Sequence, residues 1–246
     1  MNTIPDIDPK YSAEMPAGSP CEAGLLSRRE RRRVETRERI FEAALKLFSE
    51  RKFEEVTVEM ITESADVGKG TFFNYFVSKE SVIAYYFEVI ANIFAQSVPL
   101  QIEQLHQIQA ARPTQKDLMA AEEQFWQQIM TIIHQLAEFD SRSRRFARTL
   151  LALSQTNETV RKESLHIKQH LLEAAQEMIR LEQEVGLIRA DFPPDIIARF
   201  LRNVYFSTVT EWAQKDEKDA QSLVEILDIN FRIARDAVRA PALRAQ

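Results

Sequence analysis

Glycine is nearly absent from this chain, with five in 246 residues, at positions 18, 24, 68, 70 and 186. Turns between strands favour Gly, Asn and Pro, so the shortage argues for an all-α protein of long helices. Cysteine occurs once, as Cys21, which excludes an internal disulfide and fits a reducing cytoplasm. No run of about 18 consecutive apolar residues is present, so no membrane-spanning helix and no membrane partner are expected. The N-terminus has no basic segment leading into an apolar one, so no secretory signal is expected. Glycine-rich phosphate loops, Gly-x-Ser-x-Gly elbows and Cys-x-x-Cys pairs are all missing, so no enzyme class and no cofactor have support. His166 and His170 stand four apart, a spacing that can share a metal, with Glu163 and Glu173 on the same side. An exposed polar helix face is the simpler reading of them, and no metal is expected.

A general excess of positive charge is also missing. The formal net charge is −5, and residues 28–88 balance twelve basic against twelve acidic side chains. Distribution says more than the total. Seven arginines and three glutamates fall between Arg28 and Arg39, a local +4. Before them, residues 1–27 hold four of the nine prolines and no helical apolar stripe, which reads as a disordered tail.

From about Arg31 to Glu50 the pattern is helical, with Ile40, Ala44, Leu47 and Phe48 on one face. Thr57 suits an N-cap, and a second helix is expected over Val58 to Ala65. Asp66 suits a left-handed turn, Val67 a buried plug, and Gly68 the opening of a third helix. Two of the five glycines, Gly68 and Gly70, flank Lys69, and four of the six residues after Gly70 are aromatic. Glycine is about 1 kcal/mol worse than alanine inside a helix, and one reason to accept that is close approach of the backbone to another surface. Phe72 and Phe76 fall inward by their spacing. Lys69, Gly70, Thr71, Phe73, Asn74 and Tyr75 are left to face outward or sit at the boundary.

Two short helices joined by a tight turn make a helix-turn-helix, whose second helix enters the DNA major groove. The stretch from about Arg37 to Phe87 resembles the TetR (tetracycline-repressor-like) family. Its most specific run is Thr57-Val58, Ile61, Ala65-Asp66-Val67-Gly68-Lys69-Gly70-Thr71-Phe72-Phe73-Asn74-Tyr75-Phe76 and Ser78-Lys79-Glu80. The resemblance implies an N-terminal three-helix DNA-binding domain over residues 28–78. A larger helical effector-binding and dimerisation domain over 79–240 would follow, with a short tail at 241–246. It also implies that Lys69, Gly70, Thr71, Phe73, Asn74 and Tyr75 approach double-stranded operator DNA. Lys69 can donate to guanine or phosphate, and Thr57 and Tyr75 to phosphate. Lys79, at a helix start capped by Ser78, would add an anion site. Where the family often has Tyr, this chain has Phe73, which cannot hydrogen-bond and is left with apolar contact or core packing. Arg28, Arg29, Arg31, Arg32 and Arg33 would form a basic arm to phosphates or a minor groove; a solvated basic face is the alternative.

Beyond Ser78, a helix is expected through Phe94, and Pro99 is taken to end it or to start a short successor. Others are expected from Thr114, from Ser141, from Asn157 to Gly186, from the start Asp191-Phe192-Pro193-Pro194 to about Lys215, and from about Asp219 to Arg239. The last two are apolar over too wide an arc for burial on one side. In the resembled family such helices pair with those of a second subunit, so a homodimer reading a pseudo-palindrome is implied. An unidentified small-molecule effector is implied inside the second domain. Phe125, Trp126, Met130, Phe146, Met178 and Tyr205 are candidate lining residues, each of which ordinary core packing also explains. The expected function is a cytoplasmic transcriptional repressor released from DNA by that effector. A helical interaction protein using its Arg-rich segment on an acidic membrane or protein surface is the alternative. It accounts for the arginines but not for Gly-Lys-Gly-Thr.

Overall fold

The computed structural model describes residues 27–111, 113–141, 143–216 and 222–243. The expected N-terminal tail, including Cys21, lies outside them apart from Ser27. The described residues form α1 (Arg28–Glu50), α2 (Val58–Ser64), α3 (Lys69–Tyr75), α4 (Lys79–Ala111), α5 (Gln115–Asp140), α6 (Arg144–Thr156), α7 (Glu158–Val185), α8 (Pro194–Gln214) and α9 (Leu223–Val238). Short 3-10 turns at Phe53–Glu55 and Pro241–Leu243 complete them, and no strand occurs among the described residues.

Several helix starts follow side-chain chemistry. Thr57 Oγ1 accepts from Met60 N at 3.3 Å, Thr114 forms a reciprocal capping box with Asp117, and Asn157 Oδ1 accepts from Val160 N at 3.1 Å. At the other end of α7, Gly186 (φ 91°) takes the left-handed conformation, and the N–H groups of Gly186 and Leu187 both donate to the Glu182 carbonyl. Two expected ends are corrected. Ser141 closes α5 instead of opening α6, its N–H donating to Ala137 O at 2.8 Å. Pro99 lies inside α4 instead of ending it. Its ring removes one main-chain donor, but Val98, Ile102 and Leu105 on either side are buried in a core cluster that holds the helix together. An 18-residue window of α4 reaches a mean hydropathy of 1.2, enough by length and composition to cross a bilayer. Buried residues make up 47% of that window, and the core helix of a soluble protein passes the same test.

Packing divides the chain into two compact units. The first holds the described residues up to Asn92 together with Arg145–Ile167. Its core is built from Ile40, Phe41, Ala44 and Phe48 of α1, Ile61 of α2, Phe72 of α3 and the consecutive run Val82–Phe87 of α4, all buried. Arg37 braces it from one side. Its guanidinium lies 4.0 Å from the Tyr85 ring centroid and 5.7 Å from that of Phe76, and it pairs with Glu88 at 3.0 Å. Phe146 packs edge-on to Tyr86 at 5.7 Å.

The second unit holds Ile93–Arg144 and the described residues from Lys168 onward. Here α9 packs on both α8 and α5. Asn230 Nδ2 donates to Thr208 Oγ1 at 2.7 Å, and His134 Nε2 meets Asp228 Oδ1 at 2.6 Å. After Gly186 the chain bridges to the end of α9, with Arg189 N donating to Val238 O (2.9 Å) and Ala240 N to Leu187 O (3.1 Å). Leu243 is buried in the same core as Val98, Phe125 and Met178. Leu243, which falls in the expected tail, is therefore part of the core, while Pro241 and Ala242 beside it are exposed.

The stacked, ion-paired setting of Arg37 predicts that Arg37→Ala lowers the unfolding free energy by about 1–2 kcal/mol in urea titration. Arg37→Lys should restore only part of it, because an ammonium lacks the flat face.

Candidate functional site

The recognition segment is built by one turn and two buried rings. Asp66 adopts φ 52°, the left-handed conformation expected of it, and closes the turn after α2. Val67 is half-buried rather than fully buried; its N–H donates to Thr62 O at 3.0 Å, so its backbone rather than a buried side chain fixes the turn. Phe72 is fully buried and Phe76 nearly so, with ring centroids 5.8 Å apart, and Phe76 meets Tyr85 edge-on at 5.8 Å. These contacts hold the inner face of α3 against the first unit.

The outer face carries the residues the sequence assigned to it. Lys69, Gly70 and Asn74 are exposed, Thr71 and Tyr75 half-exposed, and Phe73 is 48% exposed. Phe73 leans edge-on against Phe72 at 5.4 Å, yet does not join the core. A methyl group built on Gly70 meets nothing within 4 Å, and one on Gly68 meets only the Thr71 hydroxyl at 3.9 Å. Gly68 has φ −72°, a value open to any residue. Nothing inside the protein therefore demands glycine at either position.

Lys69 is not idle. It pairs with Glu59 of α2, both side chains being exposed. Lys69, followed by the Glu59 backbone N–H and the Thr57 hydroxyl, holds the Glu59 carboxyl well below the usual carboxylate range. Sequence reading had no place for Glu59; its position on α2, ten residues before Lys69, was the available signal. Thr57 is exposed and caps α2.

Two expected anion contacts differ in geometry. Lys79 Nζ turns back into the unit, donating to Phe53 O at 2.7 Å and Val56 O at 2.9 Å and sitting 4.3 Å from the Phe53 ring centroid. The carbonyls of the first residue of the 3-10 turn and of its C-cap hold it, so the ammonium does not stand beside the N–H groups at its own helix start, as the expected anion site required. Arg28, Arg29, Arg31, Arg32 and Arg33 are exposed, but they are the first turns of α1 and not an arm preceding it. Ser27 and Glu30 form a reciprocal capping box, with Ser27 N donating to Glu30 Oε2 at 2.8 Å and Glu30 N to Ser27 Oγ at 3.2 Å. The Ser-Arg-Arg-Glu spacing was legible as a helix start.

The six candidate effector residues do not converge. Phe125 and Trp126 line one cavity in the second unit. Met178 packs in the neighbouring core, and Met130 and Tyr205 do not line the cavity. Phe146 belongs to the first unit, where it packs on Tyr86. The cavity also draws in Glu122, Glu182, Arg235 and Arg239, which are scattered through the sequence. Among the described residues no group of three potential metal ligands comes together, and His166, His170, Glu163 and Glu173 form none.

Residues 40–86 match the family model described as bacterial regulatory proteins, tetR family. The HTH-type transcriptional repressor DhaR of Mycobacterium sp. (strain GP1) is 27% identical over 199 residues, covering 81% of this chain and 92% of that protein. The HTH-type transcriptional regulator TcmR of Streptomyces glaucescens is 42% identical over 64 residues, 26% of this chain and 27% of that one. The transcriptional regulator FadR from Bacillus subtilis, solved in complex with stearoyl-CoA, shares the fold with a TM-score of 0.58 at 18% identity, covering 82% of this chain and 99% of that chain. Over residues 40–86 this chain thus matches the tetR family of bacterial regulatory proteins, and over most of its length it is similar to DhaR and shares the fold of FadR.

Proposed function

We propose that this chain is a TetR-family regulator of transcription, a cytoplasmic homodimeric repressor that reads a pseudo-palindromic operator and leaves it when the second unit takes up a small molecule. The observation that carries the DNA half is α3 itself, a polar and glycine-bearing outer face fixed over two buried phenylalanines. Gly70 lets the backbone approach a base edge, and Lys69 and Thr71 supply donors beside it. Tyr75 reaches phosphate, and Phe73 offers apolar contact to a thymine methyl or deoxyribose. The exposed arginines at the start of α1 supply the long-range attraction that a net-neutral domain otherwise lacks.

The dimer half rests on surface that is apolar and exposed. Ile196 and Phe200 sit one turn apart on α8, Ile229 and Ile233 one turn apart on α9, and Ile233 is 64% exposed. Adjacent exposed apolar side chains on two packed helices suit an isologous four-helix contact. The repressor sense is supported by the name of DhaR. FadR holds an acyl-CoA, but the identity to it is too low to carry that ligand class here.

Gel-shift and footprinting on the DNA upstream of the gene, with non-specific competitor, test the reading. Lys69→Ala should weaken specific binding by about tenfold or more and Tyr75→Phe by several-fold. Equal affinity of both variants and the wild type would sink the assignment of α3. Gly70→Ala separates stability from function: it should raise the unfolding free energy by up to about 1 kcal/mol while lowering operator affinity about tenfold. The double substitution Ile229→Asp with Ile233→Asp should give monomers in sedimentation, with operator affinity down by about 100-fold or more.

A further inference from the structure

The cavity in the second unit is lined by a buried carboxyl group, one oxygen of which has no hydrogen-bond partner among the described residues. Glu182 is 2% exposed, and its Oε2 has no hydrogen-bond partner among the described residues. Glu182 is among the residues lining a cavity that has room for one water-sized group, about 20 Å³, or about 300 Å³ when all the space between its walls and out to open solvent is counted. Such a chamber holds one water-sized group, because about 10–15 Å³ of this kind of volume suffices for a water. Phe125, Trp126, Ile129 and Leu187 give the recess apolar walls.

The charges around it nearly cancel without Glu182. Glu122 receives Arg235 Nε at 2.7 Å and Nη2 at 2.5 Å, and pairs with Arg239 at 3.2 Å. Glu123 takes Arg235 Nη2 at 2.6 Å. Two carboxylates thus meet two guanidiniums, and an ionised Glu182 would leave one negative charge in excess. Burial, with the Glu122 carboxylate adding to it, pushes the Glu182 carboxyl up to about 8. At neutral pH it therefore keeps its proton, and that proton is what balances the cluster.

A positive group of the right size can take the place of that proton. We propose that this recess binds an amine: the ligand's ammonium occupies the chamber and donates to Glu182, and its apolar body lies along Phe125 and Trp126. An anion would add a negative charge to a cluster in which two carboxylates already balance two guanidiniums. An alcohol would gain a hydrogen bond but no compensation of charge. The step balances simply. Glu182 gives its proton to solvent, the ammonium keeps its own, and the pair R–NH₃⁺ and carboxylate replaces the neutral acid. The proposal rests on reading the second unit as the effector domain.

The full-length protein is tested with 2-phenylethylamine, 2-phenylethanol and 3-phenylpropanoate, by thermal shift and by calorimetry at pH 7 in two buffers of different ionisation enthalpy. The amine is expected to give a saturable stabilisation with release of close to one proton, and at least tenfold weaker binding in Glu182→Gln. Absence of a saturable shift with the amine overturns the proposal. So does an alcohol or carboxylate that binds as well as the amine, or amine affinity unchanged in Glu182→Gln. If that variant fails to fold, proton release in the wild type decides alone, and amine binding without it overturns the assignment. Operator release is read in parallel. Amine binding with proton release that leaves the DNA complex intact upholds the pocket and sinks effector control. Release by some other compound, with no amine binding, does the reverse.

Discussion

A seven-residue helix cannot hold itself together in water, since nucleation alone outweighs the few hydrogen bonds it makes. The recognition helix Lys69–Tyr75 is of that length and further weakened by Gly70. What keeps it folded is the burial of Phe72 and Phe76, and through Phe76 the contact with Tyr85 and the Arg37 guanidinium. Fully burying a phenylalanine contributes about 1.5–3 kcal/mol, more than the glycine takes away. The outer face is thereby released from any duty to the fold. Its residues can be chosen for what they meet outside, which is why a glycine with open space around it and an exposed phenylalanine can both be tolerated there.

The same division explains how charge is arranged. Residues 28–88 are balanced in total, but the arginines at the start of α1 stand exposed while Lys79 is turned inward onto two main-chain carbonyls. Lys69 rests on Glu59 until a partner competes for it. Such an exposed pair contributes little to stability, so giving it up costs little. It does hold the lysine on the outer face beside Gly70.

Much of this was legible in the chain, and the exceptions have physical causes. Local signals survived: Phe72 and Phe76 fell inward because a four-residue spacing fixes one helix face, and Thr57, Asp66, Ser78, Thr114, Asn157 and Gly186 acted as their side chains or backbone freedom dictate. Signals with two meanings failed. Serine can end a helix as well as start one, and Ser141 does the former. Proline breaks a helix only if the turns beside it are free to leave, and around Pro99 they are not. The polar cluster could not be read at all. Glu122, Glu182, Arg235 and Arg239 lie on three helices or just beyond one, and only packing brings them to one recess. Of the six proposed lining residues, Phe125 and Trp126 reach it. The others answer equally well to the description of a large core side chain, and nothing in their local pattern separates the two.

Neither compact unit is one continuous length of chain. The first is complete only when Arg145–Ile167 returns to it, after all of Ile93–Arg144 has been made. The second needs the bridge from Ile188 to Arg239 and the buried Leu243 beyond it. A ribosome delivering this protein from its N-terminus thus exposes the helix-turn-helix long before the rest of its own core exists. Loop closure across the intervening segment adds an entropic delay that the sequence cannot shorten by local propensity. The apolar run Val82–Phe87 has to wait through that interval for part of its cover, Phe146 on Tyr86 included, and is open to chaperones and to misassociation meanwhile.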